Sequence, residues 1–136
     1  MFGYNPNENN YYWNLALDRI NAIEELNSTS YHQQNIDWED YFYDMIGVTK
    51  YQDSELQEVE LLFDLQTAPY VQTKPLHPSQ KHKITDQGLV VKLKLYLNYE
   101  LEQNILAFGD KVTVLGPTVL KDKIKNRIEA SLKKYN

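Results

Sequence analysis

A chain of 136 residues has room for one domain, or for one domain and a fragment, and is long enough to bury a core. It contains no cysteine, which excludes disulfide frameworks and thiolate metal sites and is compatible with a reducing compartment. Its net charge of −5 divides unevenly, since residues 1–66 hold 2 basic and 13 acidic side chains and residues 67–136 hold 12 and 6, so that the halves carry −11 and +6.

That asymmetry is read as attraction between the halves, within or between chains, because the basic residues are spread over several elements instead of forming one nucleic-acid-facing run. No apolar run approaches the roughly 18 residues of a spanning helix, and no basic-then-apolar leader follows Met1. No membrane association and a cytoplasmic location are therefore expected.

From the start of the chain, Phe2 to Tyr4 and Tyr11 to Leu17 are predicted as strands around the polar turn Asn5 to Asn10, with Trp13, Leu15 and Leu17 alternating. A further short strand or turn is expected over Asn21 to Leu26. So few strands expose their edges, and residues 1–26 need a barrel or a second chain to complete them, which is read as truncation. Residues 27–56 are expected to form a linker, polar and serine-rich from Asn27 to Asn35. Within it Asp37 should cap a short helix with Trp38, Tyr41, Phe42 and Met45 as its apolar surface and Gly47 as its stop. Aromatics so dense on one short helix are read as a packing wedge between modules.

Residues 57–136 predict the order β-α-β-β-α-β followed by a helix, a ferredoxin-like split βαβ in an α+β chain. Val59, Leu61, Phe63 and Leu65 should alternate inward on the first strand, and Thr67 and Pro69 should open a short helix that Pro75 ends. Lys81 to Thr85 and Leu89 to Leu97 read as a hairpin around Asp86-Gln87-Gly88, with Val91, Leu93, Leu95 and Leu97 inward and Lys92, Lys94 and Tyr96 outward. Glu58, Glu60 and Asp64 should face those lysines across the sheet, which disfavours base stacking and phosphate binding there. Asn98 is predicted to cap a helix with Leu101, Ile105 and Phe108 on its buried face, and Gly109 to supply the left-handed exit before Val112 and Val114. Glu100 and Glu102 are read as a solvated pair. Thr118 is expected to cap a terminal helix whose Leu120, Ile124, Ile128, Leu132 and Tyr135 form one apolar row.

Several of these stretches together resemble the C-terminal part of bacterial WYL-domain transcriptional regulators. They are the Asn98-x-Glu100-Leu101 opening, the Ile105-Leu106-x-Phe108-Gly109-Asp110 turn, the valine strand, and Pro117 before the last helix. Leu15 to Ile20 (LALDRI) resembles the segment closing the WYL barrel, and Pro75 to Gln80 (PLHPSQ) a motif of the C-terminal extension. Tyr41-Phe42 and Ile46-Gly47-Val48 fit the joint between the two modules. The resemblance implies that residues 1–26 are the end of an Sm-like barrel and 57–136 its ferredoxin-like extension. A winged helix-turn-helix would precede them, contacting DNA through a domain for which these residues have no room. The name-giving Trp-Tyr-Leu motif is not present, since Tyr12-Trp13 lies in the later strand.

The resemblance also implies that Asp18 and Arg19 are ligand-binding residues, because the family's barrel uses basic side chains to sense nucleic acid or a nucleotide-like effector. Trp13 is counted with them as a ligand-binding residue, although it stands where family members often carry another arginine, so one bidentate anion contact is lost. The alternative is a structural Asp18–Arg19 turn pair. His77, Ser79 and Gln80 are expected to brace the loop before the hairpin, with ligand contact the lesser reading. Ser79 has no glycine elbow, and His32, His77 and His82 have no metal-ligand spacing. No catalytic residue, metal or cofactor is therefore expected, and the chain is read as no enzyme. The function expected is the sensor and oligomerisation end of a regulator that binds single-stranded nucleic acid or a nucleotide and forms a homo-oligomer. A self-contained protein–protein interaction domain is the alternative.

Overall fold

The computed structural model describes residues 1–5, 7, 10–31, 35–51 and 53–135, with the backbone alone at 10–13. The chain divides into two compact units, Met1–Trp38 and Glu39–Asn136.

In the first unit β1 (Phe2–Asn5) and β2 (Asn10–Asn14) pair antiparallel, Phe2 opposite Asn14 and Gly3 opposite Trp13. Of the polar turn expected between them, Pro6, Glu8 and Asn9 lie outside the described residues. The ladder gains one more rung where Leu15 N donates to Met1 O (2.7 Å) and the Met1 ammonium to Leu15 O (3.0 Å). The second strand stops at Asn14, short of the predicted Leu17, and Leu17–Arg19 forms an exposed 3-10 turn. Asn21 to Leu26 forms neither strand nor turn; the hydrogen-bonded turn lies later, with Thr29 N donating to Leu26 O (3.1 Å).

The short helix α1 (Trp38–Tyr43) carries the aromatics as predicted, with Trp38 against Phe2 at 4.9 Å between ring centroids. It ends before Met45, which is buried beyond it. Gly47 is not its stop. It sits four residues past the helix at φ +81, and a Cβ there would run into the Glu100 side chain.

Beyond α1 the second unit runs β3 (Leu56–Phe63), α2 (Ala68–Thr73), β4 (Lys81–Thr85), β5 (Gly88–Tyr96), α3 (Tyr99–Ala107), β6 (Val112–Gly116) and α4 (Thr118–Leu132). The sheet order is β4-β5-β3-β6 and every pair is antiparallel. The first and third strands of a βαββαβ run thus lie at the centre, which is the ferredoxin-like arrangement. Period-two alternation places Val59, Leu61 and Phe63 beside Val91, Leu93 and Leu95 on one face. Val71 of α2, Leu101 and Ile105 of α3 and Leu120 and Ile124 of α4 cover that face, each burial contributing about 1.5–3 kcal/mol. The hairpin between β4 and β5 requires Gly88, at φ +143, because a Cβ would strike the Phe63 carbonyl oxygen of the neighbouring strand.

Four local expectations need correction. Leu65 is 57% exposed, because β3 ends at Phe63 and Asp64 turns the chain by accepting from Thr67 N at 2.6 Å. Phe108 is partly buried at the core's edge, its ring edge-on to Phe63 at 5.0 Å. Thr118 is the first residue of α4 and caps nothing; Pro117 holds the extended cap position, and its carbonyl accepts from Leu120 N and Lys121 N, each at 3.0 Å. Finally, α4 buries Leu120 and Ile124 but not Ile128 or Leu132, and Tyr135 falls beyond its end.

Candidate functional site

One group of polar side chains of the second unit converges where residues 43–50 cross the ends of β5 and α3. Tyr96 N, at the last residue of β5, donates to Asp44 O (2.9 Å). Asn98 caps α3 by accepting from Leu101 N at 2.8 Å, and its amide nitrogen donates to Ile46 O (2.8 Å) and Thr49 O (2.9 Å). With every polar atom of its carboxamide employed, Asn98 is fully buried without an unpaired donor. Glu100, in the first turn of α3, accepts at Oε1 from the Thr49 hydroxyl (2.7 Å) and Val48 N (3.3 Å). Burial pushes its carboxyl up, but the hydrogen bonds from Thr49 and Val48 outweigh this and hold it below the ordinary value of 4.5. The Lys50 ammonium lies 4.2 Å from the Tyr96 ring centroid and 5.4 Å from that of Tyr41.

The predicted loop residues serve the same junction. His77 is buried, and its Nδ1 accepts from Ser79 N (3.1 Å) and faces Ser79 Oγ at 2.8 Å. A backbone N–H can only donate, so these partners assign the ring proton to Nε2, which donates to the Tyr43 carbonyl. Ser79 Oγ also accepts from Lys94 N at 3.3 Å. Gln80 accepts from Leu76 N and donates to Val71 O, each at 3.0 Å. These side chains brace the 76–80 loop against α2, β5 and the end of α1.

Glu102 departs from the solvated role expected of it. It is 5% exposed beneath α4, with Oε2 2.8 Å from Arg127 Nε and Oε1 3.4 Å from Lys123 Nζ. Short-range pattern could not reveal this, because the partners lie on the next helix.

The open face of the sheet carries the expected opposite charges, with Glu60 opposite Lys92 and Glu58 opposite Lys94. Lys92 Nζ lies 3.4 Å from Glu58 and 3.7 Å from Glu60. Beside them a groove of about 270 Å³ is lined by Glu60, Lys81, Lys83, Val90 and Lys92, among others. Among the described residues no group of three or more His, Asp or Glu side chains is placed to hold a metal, and no helix is long and apolar enough to cross a membrane. His32 lies outside the described residues.

Asp18 and Arg19 occupy the exposed 3-10 turn of the first unit, and among the described residues neither has an ion-pair partner. Trp13 is placed by its backbone in β2, five and six residues earlier in the chain. These three and the His77, Ser79 and Gln80 group belong to different compact units.

Residues 55–132, from just before β3 to the end of α4, match the family model of the WCX domain. The chain belongs to the WCX-domain family. None of the curated proteins compared with the chain matches it. The WCX domain is the C-terminal domain of WYL-containing regulators, in agreement with the resemblance carried by the Asn98 to Pro117 stretch. Such domains belong to regulator-type proteins and not to enzymes. The match takes in His77, Ser79, Gln80, Asn98 and Glu100, but not residues 43–50, which the WCX domain binds through His77, Asn98 and Glu100. Trp13, Asp18 and Arg19 also precede it.

Proposed function

We propose that this chain is the sensing and oligomerising C-terminal region of a WYL-type transcriptional regulator. Residues 1–26 act as the end of the sensor barrel, 27–56 as a linker, and 57–136 as the extension that makes interdomain or intersubunit contacts. The reading rests on the WCX match over the ferredoxin-like unit. Arg19 adds support as an exposed guanidinium without an ion-pair partner among the described residues, able to take a phosphate in a bidentate geometry. The effector class is a single-stranded nucleic acid or a nucleotide. Duplex DNA is read by a helix-turn-helix domain outside residues 1–136, in the cytoplasm.

Fluorescence anisotropy with labelled single strands and nucleotides, at about 50 and 200 mM salt, tests this. Arg19→Ala should weaken binding more than Lys83→Ala, whose exposed lysine serves as a control for nonspecific charge. Equal losses would reduce the interaction to counterion release. Tight, salt-resistant binding of one duplex sequence by this chain alone would overturn the reading, and no binding of any probe would leave the self-contained interaction domain.

A further inference from the structure

The apolar row of α4 outruns the body it packs on. Leu120 and Ile124 are buried against the sheet, whereas Ile128 and Leu132 continue the row at the same four-residue spacing yet are 52% and 58% exposed. The last ion pair tethering the helix to the domain is Arg127 to Glu102. The exposed charge along this side of the helix is mainly cationic: Lys121, two turns before Ile128, and Lys133 and Lys134, past Leu132, have no ion-pair partner among the described residues, and Lys125 shares only an exposed 3.8 Å pair with Glu129. An apolar stripe with a basic rim calls for an acidic segment that carries apolar side chains.

The chain itself contains such a segment. From Asn21 to Leu26 every residue is exposed and none lies in a helix or strand, and Ile23 and Leu26 flank the consecutive carboxylates Glu24 and Glu25. We propose that in a dimer the 21–26 segment of each protomer covers the Ile128–Leu132 stripe of the other, Glu24 and Glu25 meeting the lysine rim. The inference rests on the intersubunit contact of the proposed function and names the surface that makes it. A second copy is the occupant because the charges of −11 and +6 on the two halves make the chain complementary to itself, and two reciprocal contacts close about a two-fold axis. Each contact is small, so association depends on concentration and weakens with salt.

Sedimentation of the full chain over a concentration series is the test, with circular dichroism to verify folding. The parent should dimerise, and Leu132→Asp, at an exposed position, should stay folded and weaken the dimer at least tenfold. Two charge-reversed chains make the assignment specific: one carries Lys121→Glu and Lys125→Glu, the other Glu24→Lys and Glu25→Lys. Each alone should be monomeric, and their mixture should form a heterodimer, since both reciprocal contacts become attractive only in the mixed pair. A mixture that stays monomeric overturns the proposal, as does a dimer indifferent to Leu132→Asp, which would leave intersubunit contact standing through another surface. A parent that is monomeric throughout overturns both.

Discussion

Glu102 on α3 and Arg127 on α4 meet at 2.8 Å, with the carboxylate side chain 7% exposed and the guanidinium side chain 37% exposed. Arg127 also stacks over the Tyr99 ring, 4.9 Å from its centroid. Removing the arginine strands a buried charge with Lys123 as its remaining ion-pair partner, so Arg127→Ala should cost about 1.5–3 kcal/mol. The cost falls short of the 3–5 of a wholly buried pair because water reaches the arginine. Lys123→Ala, at a half-exposed lysine, should cost less than about 1 kcal/mol. Urea midpoints at unchanged m-value measure both, and equal costs would show that the pair is not what holds α4 to α3.

Phe63 and Phe108 share one edge-on contact but differ in burial, Phe63 being fully enclosed on a central strand. Phe63→Ala should cost about 3–5 kcal/mol, and Phe108→Ala about 2–3, since part of its ring already faces water. Thermal unfolding should rank the two in that order, and a larger loss at Phe108 would contradict the burial described.

Glu100 should make the junction with residues 48 and 49 sensitive to acid. Its carboxyl is held below 4.5 in the fold, so the stabilisation it contributes is present above the unfolded value and is lost as pH falls through the lower, folded one. The Val48 and Thr49 amide resonances should move with a midpoint below 4.5, and Glu100→Gln should flatten that movement. A midpoint above 4.5 would mean that burial outweighs the hydrogen bonds. Asp64, lowered by its hydrogen bonds with Thr67, titrates in the same direction but reports at the turn after β3.

Asn98 caps α3 through its oxygen and holds residues 46 and 49 through its nitrogen. Asn98→Asp keeps the cap and loses both donors, whereas Asn98→Ala loses everything, at about 2–4 kcal/mol for a cap plus unsatisfied carbonyls. Hydrogen exchange should therefore show the aspartate variant loosening residues 44–50 while the first turn of α3 stays protected. Loss of protection in both places would show that cap and junction do not separate.

The alternation of Val59, Leu61, Phe63, Val91, Leu93 and Leu95 was legible because a strand's period is a property of its own backbone, and so was the Asn98 cap, whose partner is three residues away. The order of elements then left few ways to pair four strands. The stretches Pro75 to Gln80 and Asn98 to Pro117 were legible as well, and the WCX match over residues 55–132, which contains both, agrees with them.

What escaped the sequence were features whose partners lie far along the chain. Glu102 looked like any first-turn carboxylate until α4 placed Arg127 and Lys123 beside it, and Gly47 looked like a helix stop until the Glu100 side chain occupied the space its Cβ would need. Likewise the row from Leu120 to Leu132 has one period throughout, but the domain beneath it covers Leu120 and Ile124 and leaves Ile128 and Leu132 exposed. Local pattern decides which way a side chain points, because that follows from the dihedral angles of its own segment. Whether anything meets it there depends on the reach of the elements packed opposite, and only the tertiary structure decided that.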